Sequence, residues 1–355
     1  MTSEALPPAA DPLFLTDVLR RAGVLGDARV RDAKVESSQP TLLSRITCLR
    51  LTYDGAALDA PNTLILKSAL TQRMQSTWNA GRQEVAFYRD VAPVMPADIV
   101  PRCFDAAWDE ATNAWHLLLE DLTDTHRIVT QWPLPPSAAQ CEGIITAWAR
   151  FHAAWWDDPR LGTSIGRWPS DAEVEAYLRR LAQQFARFAD QLGELLPRER
   201  RTLFERFVSA ASGLYERRQR HHRNLTIAHG DAHFWNCFLA RDQARHDIRL
   251  FDWDSWRLGM ATGDLAYMMA MHWYPDRRRR LEGRLLDHYH TELMAQGVEG
   301  YDRRALEEDY RRSALWLLAY PVWQAASDIP PVIWWNNLER ILLAVDDLGC
   351  IELLD

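Results

Sequence analysis

Hydrophobic and polar positions follow two rhythms along this 355-residue chain. Between residues 28 and 68 they alternate in short runs, "RVRDAKVESS", "LLSRITCLRLTYDG" and "NTLILKSAL", parted by turn residues such as Asp54-Gly55 and Pro61-Asn62. Period-two runs bounded in this way predict strands, here three antiparallel ones. A helical stretch over 72–93 follows, and "CFDAAWDEATNAWHLLLEDL" predicts two more strands joined by a turn over 110–113. The result is a small antiparallel sheet with one inserted long helix, ending near Asp121. Ahead of it, "TDVLRRAGV" predicts a short amphipathic helix with Thr16 as its N-cap.

Beyond residue 121 the rhythm becomes helical. Ile144, Trp148, Phe151 and Trp155 in "CEGIITAWARFHAAWWDD" recur on one face. Further helices are expected over 171–193, 198–222, 278–296, 303–327 and 333–348. One segment interrupts them: "HFWNCFLARDQARHDIRLFDWD" has two apolar runs around a polar turn and predicts a β-hairpin. A chain this long exceeds the usual single core, so two lobes are expected, 1–121 and 122–355. The fold class is α+β, with a small sheet-bearing N-terminal lobe and a larger, mainly helical C-terminal lobe.

Composition narrows the function. Hydrophobic residues make up 47% and charged residues 25%, as in ordinary globular proteins. A net charge of −8 disfavours nucleic acid as a partner. The basic run "DRRRRLEGR" at 276–284 reads as a solvated helix face. Five scattered cysteines without a C-x-x-C pair suit a reducing compartment. No run is long and apolar enough for a membrane span, and the N-terminus has no signal-peptide pattern. The expectation is a cytoplasmic protein without a membrane partner.

Chemistry concentrates in "IAHGDAHFWNCFLARD", where His229, Asp231, His233 and Asn236 stand within eight positions. With Asp252 after the hairpin, this segment offers two carboxylates and an amide oxygen. Hard oxygen donors suit Mg²⁺, and phosphoryl transfer needs that ion plus a carboxylate to take the proton of the attacking hydroxyl. Asp231 is the candidate base; Asn236 and Asp252 are the candidate metal ligands.

The spacing H-G-D-x-x-x-x-N, followed by an apolar strand ending in D-W-D, resembles the core of the aminoglycoside phosphotransferase and choline-kinase-like families, small-molecule kinases with a protein-kinase-like fold. The resemblance implies a bilobal fold, ATP and Mg²⁺ as cofactors, and transfer of the γ-phosphoryl group to a hydroxyl of an aminoglycoside, choline or other alcohol. Lys67 in "LILKSAL" then holds the α- and β-phosphates, oriented by Glu84 in "QEVAFYRD". Glu120, Asp121 and Leu122 form a hinge whose backbone reads the base, which leaves GTP open as the donor. The phosphate-covering loop has no glycine; Ser37 and Ser38 stand in as donors. His229 orients the catalytic loop, and Asp264 caps a helix and ties it to that loop. His152 is a packed core histidine, and Asp254 either touches a second metal, faces solvent or caps the following turn.

Two expectations concern alternatives. His229, Asp231 and His233 could instead build a two-metal hydrolase site, although Lys67, Glu84 and the sheet then have no role. Trp334 and Trp335 in "IWWNN" are candidate acceptor contacts, since adjacent helical residues cannot share a face. An acidic C-terminus, with Glu339, Asp346, Asp347, Glu352 and Asp355, suits a cationic acceptor.

Overall fold

Helix α1 (Pro12–Arg21) begins one residue after Asp11, whose carboxylate accepts from Leu13 N at 2.9 Å and Phe14 N at 3.1 Å. Asp11 is therefore the N-cap, and Pro12 sits where a missing N–H costs nothing. Thr16, expected at that position, lies mid-helix, where its hydroxyl donates to Pro12 O and accepts from Val30 N at 2.9 Å.

The computed structural model describes residues 8–41, 43–70, 80–96, 98–219, 222–242 and 247–355. Its alternating runs form β1 (Arg29–Pro40), β2 (Ser44–Asp54), β3 (Thr63–Ala69), β4 (Cys103–Trp108) and β5 (Trp115–Glu120), an antiparallel sheet in the order β1-β2-β3-β5-β4. One face buries Leu49, Leu51, Leu64, Leu66 and Leu118 with Leu15, Val18 and Leu19 of α1. Strand alternation turns Ile65 and Lys67 to the opposite face.

After β3 comes α2 (Ala80–Ala86), continued by a π-helical turn, Phe87–Val91. The first part of the helix expected from residue 72 lies outside the described residues. Gly81 marks a close approach: a Cβ there would overlap the Trp115 indole of β5. That approach lays α2 on the sheet with Glu84 one turn further along.

The expected hairpin forms as β8 (Cys237–Ala240) and β9 (Ile248–Leu250), and β8 pairs with β6 (His126–Ile128). This pairing affects the domain division. Met1–Ile128 and Cys237–Trp256 make one compact unit, and Val129–Asn236 with Arg257–Asp355 make the other. The hairpin thus belongs with the sheet-bearing unit, where a single break after residue 121 would have separated them.

The second unit holds α3 (Ala138–Ala154), α4 (Asp171–Leu192), α5 (Arg198–Gln219), α6 (Thr262–Ala266), α7 (Pro275–Ala295), α8 (Arg303–Trp316), α9 (Ala319–Ala326) and α10 (Pro331–Asp347). Capping boxes at Ser137 and Ser170 start α3 and α4. Ile144, Trp148, Phe151 and Trp155 are buried as their spacing predicts. Two short strands not expected from the sequence, β7 (Thr226–Ala228) and β10 (Arg257–Gly259), pair antiparallel. The helix expected over 303–327 is interrupted at Leu317–Leu318. Pro321 lacks the N–H a continuous helix would need, and it fits only in the first turn of a new one, α9.

The basic run is not simply a solvated face. Arg278 is buried, donates to Glu282 at 2.7 Å and pairs with Asp347, while Tyr310 OH donates to Glu282 at 2.6 Å. Arg277 lies over the Trp273 ring at 4.8 Å. A buried guanidinium needs this many acceptors. Among the described residues, no helix is long and apolar enough to cross a membrane.

Replacing Gly81 with Ala is expected to lower stability by about 1–3 kcal/mol, the usual cost of overpacking. Urea unfolding measures it, and an unchanged midpoint would show that Trp115 moves aside freely.

Candidate active site

In the sheet-bearing unit, Lys67 points from the face opposite the leucine core to two carboxylates. Its Nζ donates to Glu84 Oε1 at 2.8 Å and to Asp252 Oδ1 at 2.6 Å. The lysine side chain is 13% exposed, Glu84 2% and Asp252 36%. Burial opposes charge on Lys67, but Glu84 and Asp252 outweigh it and hold the ammonium above the ordinary lysine range. The resulting triad joins β3, α2 and the segment leaving the hairpin.

Aromatic and amide contacts latch that segment to α2. Phe87 stacks on Trp253 with centroids 3.9 Å apart. Trp256 Nε1 donates to Gln83 O at 2.8 Å, and Gln83 Nε2 donates to Trp256 O at 2.7 Å. Asp252 itself adopts φ 70, a left-handed conformation uncommon for any residue except glycine and, less rarely, Asn or Asp. Asp254 accepts from Ser255 Oγ at 2.8 Å. Burial, then the charge of Asp252, push its carboxyl up to about 7.

Beside this triad the same unit contains a cavity of about 480 Å³, lined among others by Ser37, Ile46, Cys48, Ile65, Asp121 and Thr123. Ile46 pairs with Lys67 across β2 and β3, and Ile65 shares the face of Lys67. Ser37 and Asp121 line the cavity. Ser38 lies on the strand too, paired with Thr47, and its hydroxyl meets the Thr47 hydroxyl at 3.1 Å. Both serines thus belong to β1 rather than to a loop. Glu120 accepts from Arg102 N at 2.8 Å; Leu122 O accepts from His126 N at 2.8 Å.

The second unit assembles the H-G-D segment. Gly230 takes φ 85, which permits the sharp turn that presents Asp231. Asp231 Oδ1 accepts from Tyr267 OH at 2.6 Å, and Oδ2 accepts from Asn236 Nδ2 at 3.2 Å. His233 Nε2 stands 3.5 Å from Oδ2. His229 is fully buried, and its Nδ1 accepts from Asp231 N at 3.2 Å. Behind the turn lies Asp264, also without exposed surface. It accepts from His229 N at 2.7 Å and from Gly230 N at 3.0 Å, and His152 Nε2 lies 3.2 Å away. Burial would raise its pKa, but His152, His229 and the Gly230 amide hold it below the usual carboxylate range. Asp264 ties to the loop as expected but does not cap α6, whose N-cap position is Ala261.

The structure gives different surroundings to the candidate acceptor contacts. Trp334 is core, edge-on to Phe188 at 5.6 Å, while Trp335 is half-buried. Four of the five C-terminal acids pair with arginines. Asp346 pairs with Arg200 and Asp355 with Arg206, each at 2.5 Å, Glu352 pairs with Arg311 at 2.6 Å, and Asp347 pairs with Arg278 and Arg279. Arginines already neutralise these four carboxylates, which leaves little C-terminal negative charge for a cationic acceptor.

Solved structures share this fold at low sequence identity. A choline/ethanolamine kinase family protein from Mesorhizobium loti aligns over 97% of this chain and 96% of its own, with TM-score 0.52 and 15% identity. A choline kinase from Cryptosporidium parvum Iowa II aligns over 97% of each chain, with TM-score 0.52 and 12% identity. Wild-type aminoglycoside 2'-phosphotransferase-IIIa, in its GDP complex, aligns over 96% of this chain and 99% of its own, with TM-score 0.50 and 13% identity. Residues 163–297 match the ecdysteroid kinase-like family. No curated protein matches the sequence.

Asp264 generates a stability prediction. Its folded carboxyl titrates below the unfolded value of about 4, so its contribution is complete above that pH and is lost as pH falls through the folded value. Asp264→Asn is expected to cost about 3 kcal/mol at neutral pH and to flatten the acid limb of the stability curve. Denaturant titrations at several pH values test this; an equally steep limb in the variant would contradict it.

Proposed function

We propose that this chain, which has the protein-kinase-like fold of small-molecule kinases, transfers the γ-phosphoryl group of ATP to a hydroxyl of a small molecule. The observation that carries the reading is the triad of Lys67, Glu84 and Asp252 beside the 480 Å³ cavity. A buried lysine shared by a helix carboxylate and a carboxylate after the hairpin is what a phosphate-binding lysine requires.

The donors fit Mg²⁺. Asn236 Nδ2 is engaged with Asp231 O and Oδ2, which leaves the amide oxygen for a cation, and Asp252 keeps a partly exposed carboxylate. When bound, Mg²⁺ would supply neutralisation of charge on the β- and γ-phosphates. Lys67 binds the α- and β-phosphates, and Glu84 fixes its direction. The purine occupies the cavity that Asp121 and Ser37 help to line, with the backbone of the segment Glu120, Asp121 and Leu122 reading the base and Ser37 towards the phosphates. Asp231 aligns the acceptor hydroxyl and takes its proton as that oxygen bonds to the γ-phosphorus and the bond to ADP breaks. His229 and Asp264 hold the turn that carries Asp231. Most of the rate gain is then positioning and charge stabilisation.

A phosphotransferase drawing on ATP would work in the cytoplasm. For the acceptor, the pairing of the C-terminal acids favours alcohols that are neutral or singly charged over polycations. The two-metal hydrolase reading has less support. His229 is buried and engaged with the Asp231 amide, and among the described residues no three His, Cys, Asp or Glu side chains gather to hold a metal.

Thermal shift with ATP tests the reading. A ligand that binds only the folded state adds about 2.7 kcal/mol at about 100 times its dissociation constant. The shift is expected to require Mg²⁺ in the wild type and to lose that requirement's benefit in Asp252→Ala. No shift with ATP or GTP would refute the reading. Asp231→Asn is expected to keep nucleotide affinity and lower turnover by about a hundredfold or more; turnover retained in that variant would remove Asp231 as the base.

A further inference from the structure

Tyr267 is a partner of Asp231 that no sequence motif announces. It opens the π-helical turn Tyr267–Met271, three residues after Asp264. Its ring is buried, and its hydroxyl donates to Asp231 Oδ1 at 2.6 Å. This contact is much the shortest made by that carboxylate. Oδ2 has longer ones, 3.2 Å to Asn236 Nδ2 and 3.5 Å to His233 Nε2.

The surroundings keep Tyr267 in place from several sides. Its ring meets Tyr320 at 5.2 Å and His272 at 4.8 Å. His272 Nδ1 lies 2.8 Å from the Tyr267 carbonyl oxygen. Burial, then His233, push His272 down to about 4, so it packs there as a neutral ring. A π-helical turn at this point widens the helix by one residue, a distortion frequent at functional sites. The segment from Asp264 to Tyr267 therefore grips the loop twice: Asp264 holds the backbone amides of His229 and Gly230, and Tyr267 holds the side chain of the next residue, Asp231.

We infer that Tyr267 is a positioning residue for the proposed base: its hydroxyl on Oδ1, with the Asn236 amide on Oδ2, fixes the rotation in which the Asp231 carboxylate meets the acceptor hydroxyl. The inference rests on the phosphotransferase reading and adds a residue to it. Tyr267 touches neither phosphate nor acceptor and works through Asp231. In the transfer step the acceptor O–H bond breaks, its proton passes to the Asp231 carboxylate, and the acceptor oxygen bonds to the γ-phosphorus as ADP leaves. The Tyr267 proton stays on its own oxygen.

The test uses the full chain with Mg·ATP and water as the acceptor, read as phosphate release, together with nucleotide affinity and melting temperature. Tyr267→Phe keeps the ring and removes one hydroxyl. Its kcat is expected to fall about tenfold or more, the scale of a hydrogen bond to a charged group, with KM for ATP and melting temperature unchanged. In the double variant with Asp231→Asn, the tyrosine change should cost nothing further, because residues acting as one unit are not additive. An unchanged kcat in Tyr267→Phe, or losses that multiply in the double variant, would overturn the positioning role while leaving the phosphotransferase reading intact. A wild type that neither binds nor turns over Mg·ATP would overturn that reading and this inference with it.

Discussion

A carboxylate with no exposed surface must find donors for its lone pairs or give up its charge, and Asp264 finds two backbone amides and an imidazole. The amides belong to His229 and Gly230, so the solution to the burial problem is also the device that shapes the turn before Asp231. His152 completes the set from α3, and its other nitrogen lies 2.9 Å from Tyr289 OH on α7. One charge thereby couples three helices and the loop. Its net worth to stability is smaller than its worth to geometry, because desolvation offsets much of the attraction.

The sheet-bearing unit handles charge by a different route. Lys67 is held between a carboxylate that is nearly inaccessible and one that stays partly in water. The buried partner fixes direction, and the wetter one remains exchangeable. At the far end of the chain, arginines from α5, α7 and α8 meet acids of α10 and the residues after it. Most of these pairs are surface contacts worth little each; Arg278 with Glu282 and Asp347 is the buried exception.

The elements with regular periodicity were legible in the sequence. The strands of the sheet, the hairpin at 237–250 and the buried face of α3 follow from alternation and helical spacing alone, because burial selects side chains one face at a time. What escaped were contacts between distant segments. Nothing near Asp346 or Glu352 announces the arginines that neutralise them, since each lies on another helix. The N-cap passed from Thr16 to Asp11 because Pro12 sets the start and Thr16 had a use on β1. Tyr267 carried a faint signal: three residues after Asp264, it shares that residue's helix face. The split of 303–327 was visible in Pro321, and the pairing of β6 with β8 in no local feature.

Both candidate-site helices contain a π-helical turn shortly after their key acid, Glu84 before Phe87–Val91 and Asp264 before Tyr267–Met271. Such a turn amounts to one extra residue spliced into an α-helix, and one residue is about 100° of rotation. No α-helix continues past either turn: the 3₁₀ turn Ala92–Val94 follows the first, and the chain leaves the second through His272 and Trp273. For the evolution of the chain this places the extra residue at the C-terminal end of each helix, where a single-residue deletion can be absorbed by ending the helix in a regular α-turn. Such a deletion would re-aim whatever the following stretch carries while leaving the acid ahead of it undisturbed.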